Sequence, residues 1–215
     1  MELSLFRKYI LTGDSESIQS LTQEAIDSGI PIKTIVNDQL IPAMEEVGRL
    51  FEEGESFLPE MLISARAMQA SMAVLKPYIV GNEVRTRGRV VIGTVKGDLH
   101  DIGKTLVGLM LEGSGFEVYD LGVDISSEKF LDAVVELKPC ILAMSALLTT
   151  TIPNMKITIK ALEKANLREN LIIMVGGAPL TQDFANSIGA DGFAEDAVGA
   201  VRKAKELIER KSIIT

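Results

Sequence analysis

The chain has 215 residues, 47% hydrophobic and 24% charged, which suffices for one large domain or two small ones. Its formal charge of −8 and sequence pI near 4.8 oppose phosphate backbones, so nucleic acid is not an expected partner. No apolar run approaches the roughly 20 residues of a membrane span, no signal-peptide pattern opens the sequence, and the single cysteine, Cys140, permits no internal disulfide; a cytoplasmic protein is the expectation.

Residues 1–84 carry helical periodicity. Asp14 or Ser15 caps a helix running to Asp27, and Ser28-Gly29 closes it. Pro31 suits the first turn of a third helix, whose apolar residues Ile35, Leu40, Met44, Val47, Leu50 and Phe51 recur mostly three to five apart. Gly54 breaks that helix, and Pro59 opens a fourth through Met61, Leu62, Ala65, Met68, Met72 and Leu75. Four helices on short loops predict a small antiparallel bundle. The polar stretch 81–88, GNEVRTRG, reads as a flexible linker, with Arg85, Arg87 and Arg89 as a solvated run.

From residue 85 to 215 the pattern changes to short β-branched runs alternating with helical segments. Strands are expected at 89–95, 116–121, 139–147, 171–175 and 191–194, with a last helix from about Asp196 to Lys211. Strands alternating with helices imply parallel βα units, and continuous runs such as VVIGTV and LIIMVGG fit strands buried on both faces. The fold class is therefore α/β: a four-helix bundle, then a five-stranded parallel, doubly wound, flavodoxin-like domain.

Ligands of such sheets bind beyond the carboxyl ends of the strands. Glycine and hydroxyl residues gather there: Lys96 through Gly103 after the first strand, Leu147 through Thr151 after the third, Gly176-Gly177-Ala178-Pro179 after the fourth, and Glu195-Asp196-Ala197 after the fifth. Asp98 and His100 are two apart, so in an extended loop they share a side, and a carboxylate behind an imidazole is the usual support of a metal-ligating histidine. A lone surface histidine is the bland alternative. The stretch Gly97 to Gly103-Lys104-Thr105 has five residues between its glycines, where a phosphate-binding loop needs four, and no G-x-G-x-x-G follows the first strand.

These residues resemble the cobalamin-binding motif of corrinoid proteins: Asp98-Leu99-His100-Asp101-Ile102-Gly103, then Ser145-Ala146-Leu147, then Gly176-Gly177. The helical half resembles the cap of cobalamin-dependent methionine synthase and of small corrinoid proteins, through Val47-Gly48-Arg49-Leu50-Phe51 and Phe57-Leu58-Pro59-Glu60. The resemblance implies a cobalamin or related corrinoid, cycling between methylcob(III)alamin and cob(I)alamin, with His100 as lower ligand to cobalt and Asp98 hydrogen-bonded to it. It implies that Gly97, Leu99 and Asp101 line the lower face, with Ile102 and Gly103 among the cofactor-binding residues. Ser145 and Thr149 would bond the displaced nucleotide tail, Leu147, Gly176 and Gly177 would border it, and Ala197 would lie near it. Phe51 and Leu58, which periodicity alone would assign to the core, would shield the upper face. Where methionine synthase ends its His–Asp relay in serine, this chain has Thr151.

The function so implied is that of a methyl carrier, a non-catalytic corrinoid subunit of a multi-component methyltransferase system. Its partners would be a substrate-specific corrinoid methyltransferase, a methylcorrinoid:tetrahydrofolate or thiol methyltransferase, and a reductive activator, with no nucleic acid and no membrane. Two rival readings share the motif: the cobalamin-binding subunit of a radical mutase, which lacks a helical cap in the resembling subunits, and a corrinoid sensor, for which no helix-turn-helix is evident.

Overall fold

The structure, a computed structural model, describes residues 3–78 and 86–214. The chain forms two compact units, Met1–Arg87 with Glu112–Gly115, and Gly88–Leu111 with Phe116–Thr215. Residues 81–85 of the expected linker lie outside the described residues.

In the first unit, α1 (Ser4–Thr12) ends at Gly13, whose left-handed backbone closes the helix. Asp14 then caps α2 (Ser15–Asp27), its side chain accepting from Ser17 N–H at 3.0 Å. The third rod departs from the expected regular helix. After α3 (Ile32–Thr34) it passes through a π-helical segment, Ile35–Leu40, before α4 (Ile41–Glu52). Pro42 stands at the start of α4, inside the rod; it has no N–H and its ring crowds the preceding turn, and the wider π-turn meets both demands. In α5 (Leu58–Leu75), Glu60 accepts from Phe57 N–H at 3.1 Å and Pro59 occupies the first turn. The rods close on Phe6, Ile10, Ile18, Ile35, Leu40, Met44, Met61 and Met68, all fully buried. Inside this apolar core the Thr22 hydroxyl donates to Ile18 O at 2.6 Å and lies 2.7 Å from the Ser71 hydroxyl, which can donate to it across α2 and α5.

The second unit is a five-stranded parallel sheet: β1 (Arg89–Thr94), β2 (Glu117–Asp120), β3 (Ile141–Ser145), β4 (Ile172–Gly176) and β5 (Gly192–Ala194), in the order 2-1-3-4-5. Helices α6 (Ile102–Gly113), α7 (Ser127–Leu137), α8 (Pro153–Lys164), α9 (Gln182–Ile188) and α10 (Ala197–Ile214) connect and close it. The apolar runs of β1, β3 and β4 are buried almost throughout, whereas the edge strand β2 is only half-buried, which explains its weaker apolar pattern. Strand order reverses at β1 and β3, so the loops leaving those two strands flank the crevice where this fold takes ligands. Register pairs Thr94 with Ser145, Ser145 with Gly176, and Gly176 with Ala194, a single row at the carboxyl edge.

Candidate functional site

The loop leaving β1, residues 95–101, carries Asp98 and His100. Asp98 has 0% exposure. Its Oδ1 lies 2.7 Å from His100 Nδ1 and accepts from His100 N–H at 3.1 Å. Its Oδ2 accepts from the backbone N–H groups of Leu147 and Leu148, at 2.8 and 3.1 Å, and from the Thr151 hydroxyl at 2.7 Å. Burial pushes the carboxyl up, but the bonds from Thr151, His100 and Leu147 outweigh it and hold Asp98 well below the usual carboxylate range. An ionised carboxylate is acceptor-only, so Nδ1 must be the donor. The lone pair is then left on Nε2, and the His100 side chain is 51% exposed. The Thr151 hydroxyl also lies 2.9 Å from Leu148 O; its one proton goes to the nearer, charged acceptor. The added methyl of threonine thus leaves the hydrogen bond to Asp98 intact.

The loops that carry and support His100 expose several large aliphatic side chains. Leu99 is 71% exposed and Ile102 78% exposed, and Leu147 and Leu148 are exposed as well. Large aliphatic side chains exposed together at the carboxyl edge of the sheet make this a candidate binding surface. Gly103, in the first turn of α6, has open space where a Cβ would project. Gly97 adopts a left-handed backbone, and a Cβ there would lie 3.5 Å from Thr151 Cγ2. Asp101 is exposed, and its carbonyl accepts Thr105 N–H at 2.7 Å.

On the other side of the crevice, Ser145 ends β3 and Thr149 stands exposed in the following loop. Among the described residues neither hydroxyl is engaged by another protein group. Gly176 ends β4 in the same register row as Ser145. Gly177 has a structural reason of its own: a Cβ there, at φ +138°, would fall 1.9 Å from Ala146 O. Its lack of a side chain lets the β4 turn pass against the loop that supplies Leu147 and Leu148 N–H to Asp98. Ala197 begins α10 and is buried. In the helical unit, Phe51 is half-buried on α4, and Leu58, at 43% exposed, does not belong to the core to which its periodicity would assign it.

Several residues that hold the site together were not singled out by sequence. Thr94, buried, donates its hydroxyl to His100 O at 2.9 Å. Asn154 donates to Lys96 O at 2.8 Å. Lys104, buried on α6, pairs with Asp120 at the end of β2. Asp124 contacts the backbone on both sides of Lys96-Gly97-Asp98 through Gly97 N–H and Asp98 O. The available signal was position: Gly122-Val123-Asp124 follows β2 at the same carboxyl edge as the segments after the other strands.

This donor set can be tested against a corrinoid. Among the described residues no three His, Cys, Asp or Glu side chains gather to hold a metal ion. His100, supported through Nδ1 by the buried Asp98 carboxylate, has the chemistry of a metal-ligating imidazole. The exposed Leu99, Ile102, Leu147 and Leu148, with open space at Gly103, suit an apolar macrocycle that brings the metal with it. The residues fit.

Comparison with known proteins agrees. Two family models, each described as a B12 binding domain, match residues 88–202 and 4–76. A corrinoid protein of Desulfitobacterium hafniense (strain Y51) is 40% identical over 209 residues, covering 96% of this chain and 97% of the relative. Dimethylamine corrinoid protein 1 of Methanosarcina acetivorans is 45% identical over 175 residues, covering 81% of this chain and 82% of the relative. Among solved structures, a chain of the methanol:cobalamin methyltransferase complex MtaBC from Methanosarcina barkeri is 33% identical with a TM-score of 0.86, covering 95% of this chain and 78% of that one.

Proposed function

The chain belongs to the family of corrinoid proteins with B12 binding domains, and from that premise we propose that it is a methyl carrier between two methyltransferases. One partner, specific for a methylated substrate such as an amine or methanol, would load it; the other would unload it to tetrahydrofolate or a thiol. A reductive activator would restore carrier that has lost its active oxidation state, and the cytoplasm is the proposed compartment. The observation that carries this reading is the buried Asp98 carboxylate, fixed by five hydrogen bonds, which holds His100 by Nδ1 at the strand ends while the imidazole side chain stays 51% exposed.

When bound, the corrinoid supplies a cobalt centre that takes up and gives back a methyl group. The protein's own residues supply ligation and orientation. His100 would hold the cobalt through Nε2, and Asp98, bonded to Nδ1, would keep a proton on that nitrogen so that Nε2 is free to ligate. Leu99, Ile102, Leu147 and Leu148 would exclude water from the face of the bound group, Gly97 and Gly103 would leave it room, and Asp101 would line the same face. Ser145 and Thr149 are the proposed hydrogen-bonding partners of the displaced nucleotide tail, which would run past Gly176, Gly177 and Ala197. Phe51 and Leu58 are proposed to contact the cofactor as well, and the exposure of Leu58 permits it.

The test is to load the full chain and its His100→Ala variant with cobalamin, record their absorption spectra, and supply di- or trimethylamine or methanol with the matching methyltransferase. Wild type is expected to show histidine ligation and to take up methyl from one donor, and the variant to lose the axial signature. A wild-type spectrum in the variant would overturn ligation by His100. Correct ligation without methyl uptake from any donor would overturn the carrier role.

A further inference from the structure

The loop leaving β2, residues 121–126, makes an unusual set of contacts. Asp124 holds a left-handed backbone, φ 54°, which non-glycine residues adopt at a cost and which Asp and Asn tolerate best. Its side chain is exposed, so it contributes nothing to the core. Yet it makes two bonds to one short stretch of the neighbouring loop: Gly97 N–H donates to Asp124 Oδ1 at 2.7 Å, and Asp124 N–H donates to Asp98 O at 3.0 Å. Both flanks of the loop are pinned. Thr94 N–H donates to Gly122 O at 3.0 Å, and Ile125 N–H donates to Thr94 O at 2.9 Å. Asp120 accepts from Gly122 N–H at 2.8 Å while it pairs with the buried Lys104.

Asp98 is thereby gripped from two directions. Its carboxylate is held by Leu147, Leu148 and Thr151 from the β3 side, and its main chain by Asp124 from the β2 side. The side-chain bonds fix where the carboxylate oxygens point. The main-chain clamp fixes where the residue stands, and with it the 2.7 Å contact to His100 Nδ1. A strained backbone kept at an exposed position, with its polar groups spent on a functional loop, points to a role in that loop.

We infer that Asp124 is a positioning residue for His100, acting through Gly97 and the main chain of Asp98 to hold the imidazole in its ligating pose. This rests on the reading of His100 as the cobalt ligand. Without the clamp the loop gains freedom, and the histidine-ligated fraction of bound corrinoid falls while the sheet stays folded. Asp124→Asn keeps an oxygen acceptor and tolerates the left-handed backbone, so it retains the clamp. Asp124→Gly keeps the backbone and loses the acceptor, so it separates the clamp from the strain; Asp124→Ala loses both advantages.

The experiment loads the full-length chain and these variants with cobalamin and measures the histidine-ligated fraction by absorption and by electron paramagnetic resonance of the cobalt(II) form. In parallel, amide exchange of Gly97 is measured in the cobalamin-free chains. The unligated fraction is expected to rise at least several-fold in Asp124→Gly and Asp124→Ala and to stay near wild type in Asp124→Asn. Gly97 N–H is expected to be protected in wild type and Asp124→Asn, and to exchange about tenfold or more faster in Asp124→Gly, the loss of one hydrogen bond. Unchanged ligation in Asp124→Gly, or an unprotected Gly97 N–H in wild type, would overturn the inference. His100→Ala serves as reference: should it also keep the wild-type signature, the underlying assignment of the ligand fails, whereas its loss alongside intact Asp124 variants defeats only the positioning role. If the Gly and Ala variants do not fold, Gly97 exchange in wild type and ligation in Asp124→Asn still decide.

Discussion

Replacing Thr151 with valine keeps the shape of the side chain and removes its hydroxyl. The cost follows from the site. The hydroxyl donates at 2.7 Å to a carboxylate that is fully buried, and no water can replace it there. A hydrogen bond to a charged group contributes about 1.5–3 kcal/mol, and leaving the acceptor short of a partner puts the loss toward the upper end. Thr151→Ser keeps the donor and loses one methyl, which costs about 1 kcal/mol in a well-packed site. Valine should therefore be the more damaging change by roughly 1 kcal/mol or more, although by volume it is the more conservative. With a urea slope of about 1–3 kcal/mol per molar, Thr151→Val should lower the unfolding midpoint by about 1 M, and Thr151→Ser by less than half of that. Urea titration followed by circular dichroism measures both. If valine is tolerated as well as serine, the hydroxyl does not carry the Asp98 network and the relay argued for Thr151 is wrong.

Gly177→Ala should be costly, because its Cβ would need to move more than 1 Å away from Ala146 O and would drag the Leu147 and Leu148 amides off Asp98. The expected loss is about 3–6 kcal/mol from backbone strain and two weakened charged hydrogen bonds, and a change within about 0.5 kcal/mol would refute the packing argument. At the opposite edge of the sheet, the Tyr119 hydroxyl at 2.5 Å and the Arg89 guanidinium at 3.0 Å together outweigh burial and hold the Glu117 carboxyl low. A carboxyl depressed by folding stabilises above its unfolded pKa of about 4.3, and that stabilisation is lost as pH falls through the folded value. Wild type should accordingly exceed Glu117→Gln in stability at neutral pH, with the gap closing below about pH 4; a gap that widens on acidification would reverse the sign of the argument.

Much of this fold was legible because local chemistry and tertiary structure agree. The runs at β1, β3 and β4 are buried and read as strands; Asp14 and Pro59 mark helix starts that the structure places where they were expected. The π-helical turn was not legible, because Pro42 lies within an otherwise unbroken apolar period and the wider turn that accommodates it leaves that period in place. Of the site, Asp98, His100 and Gly176 were within reach because they follow strand ends, whereas Ser145 was reached only through the resemblance to the cobalamin-binding motif. Thr94, Asp124 and Asn154 were not, since each acts through a backbone group 6 to 58 positions distant, which carries no sequence signal. Gly177 illustrates a subtler limit: the glycine was expected, but its tightest constraint is another backbone segment within the protein.

The central claim is that His100 Nε2 ligates the cobalt, and the sequence makes it directly testable, since His100 is the only histidine. The full chain should be produced with nitrogen-15 histidine and all other nitrogen at natural abundance, loaded with unlabelled cobalamin, and reduced to the cobalt(II) form. Nitrogen splitting of the electron paramagnetic resonance lines then identifies the axial ligand by its nuclear spin. The expected result is that the triplet of the unlabelled sample becomes a doublet on labelling. A triplet that persists would mean that the ligand nitrogen comes from the corrinoid's own base, and would contradict the account.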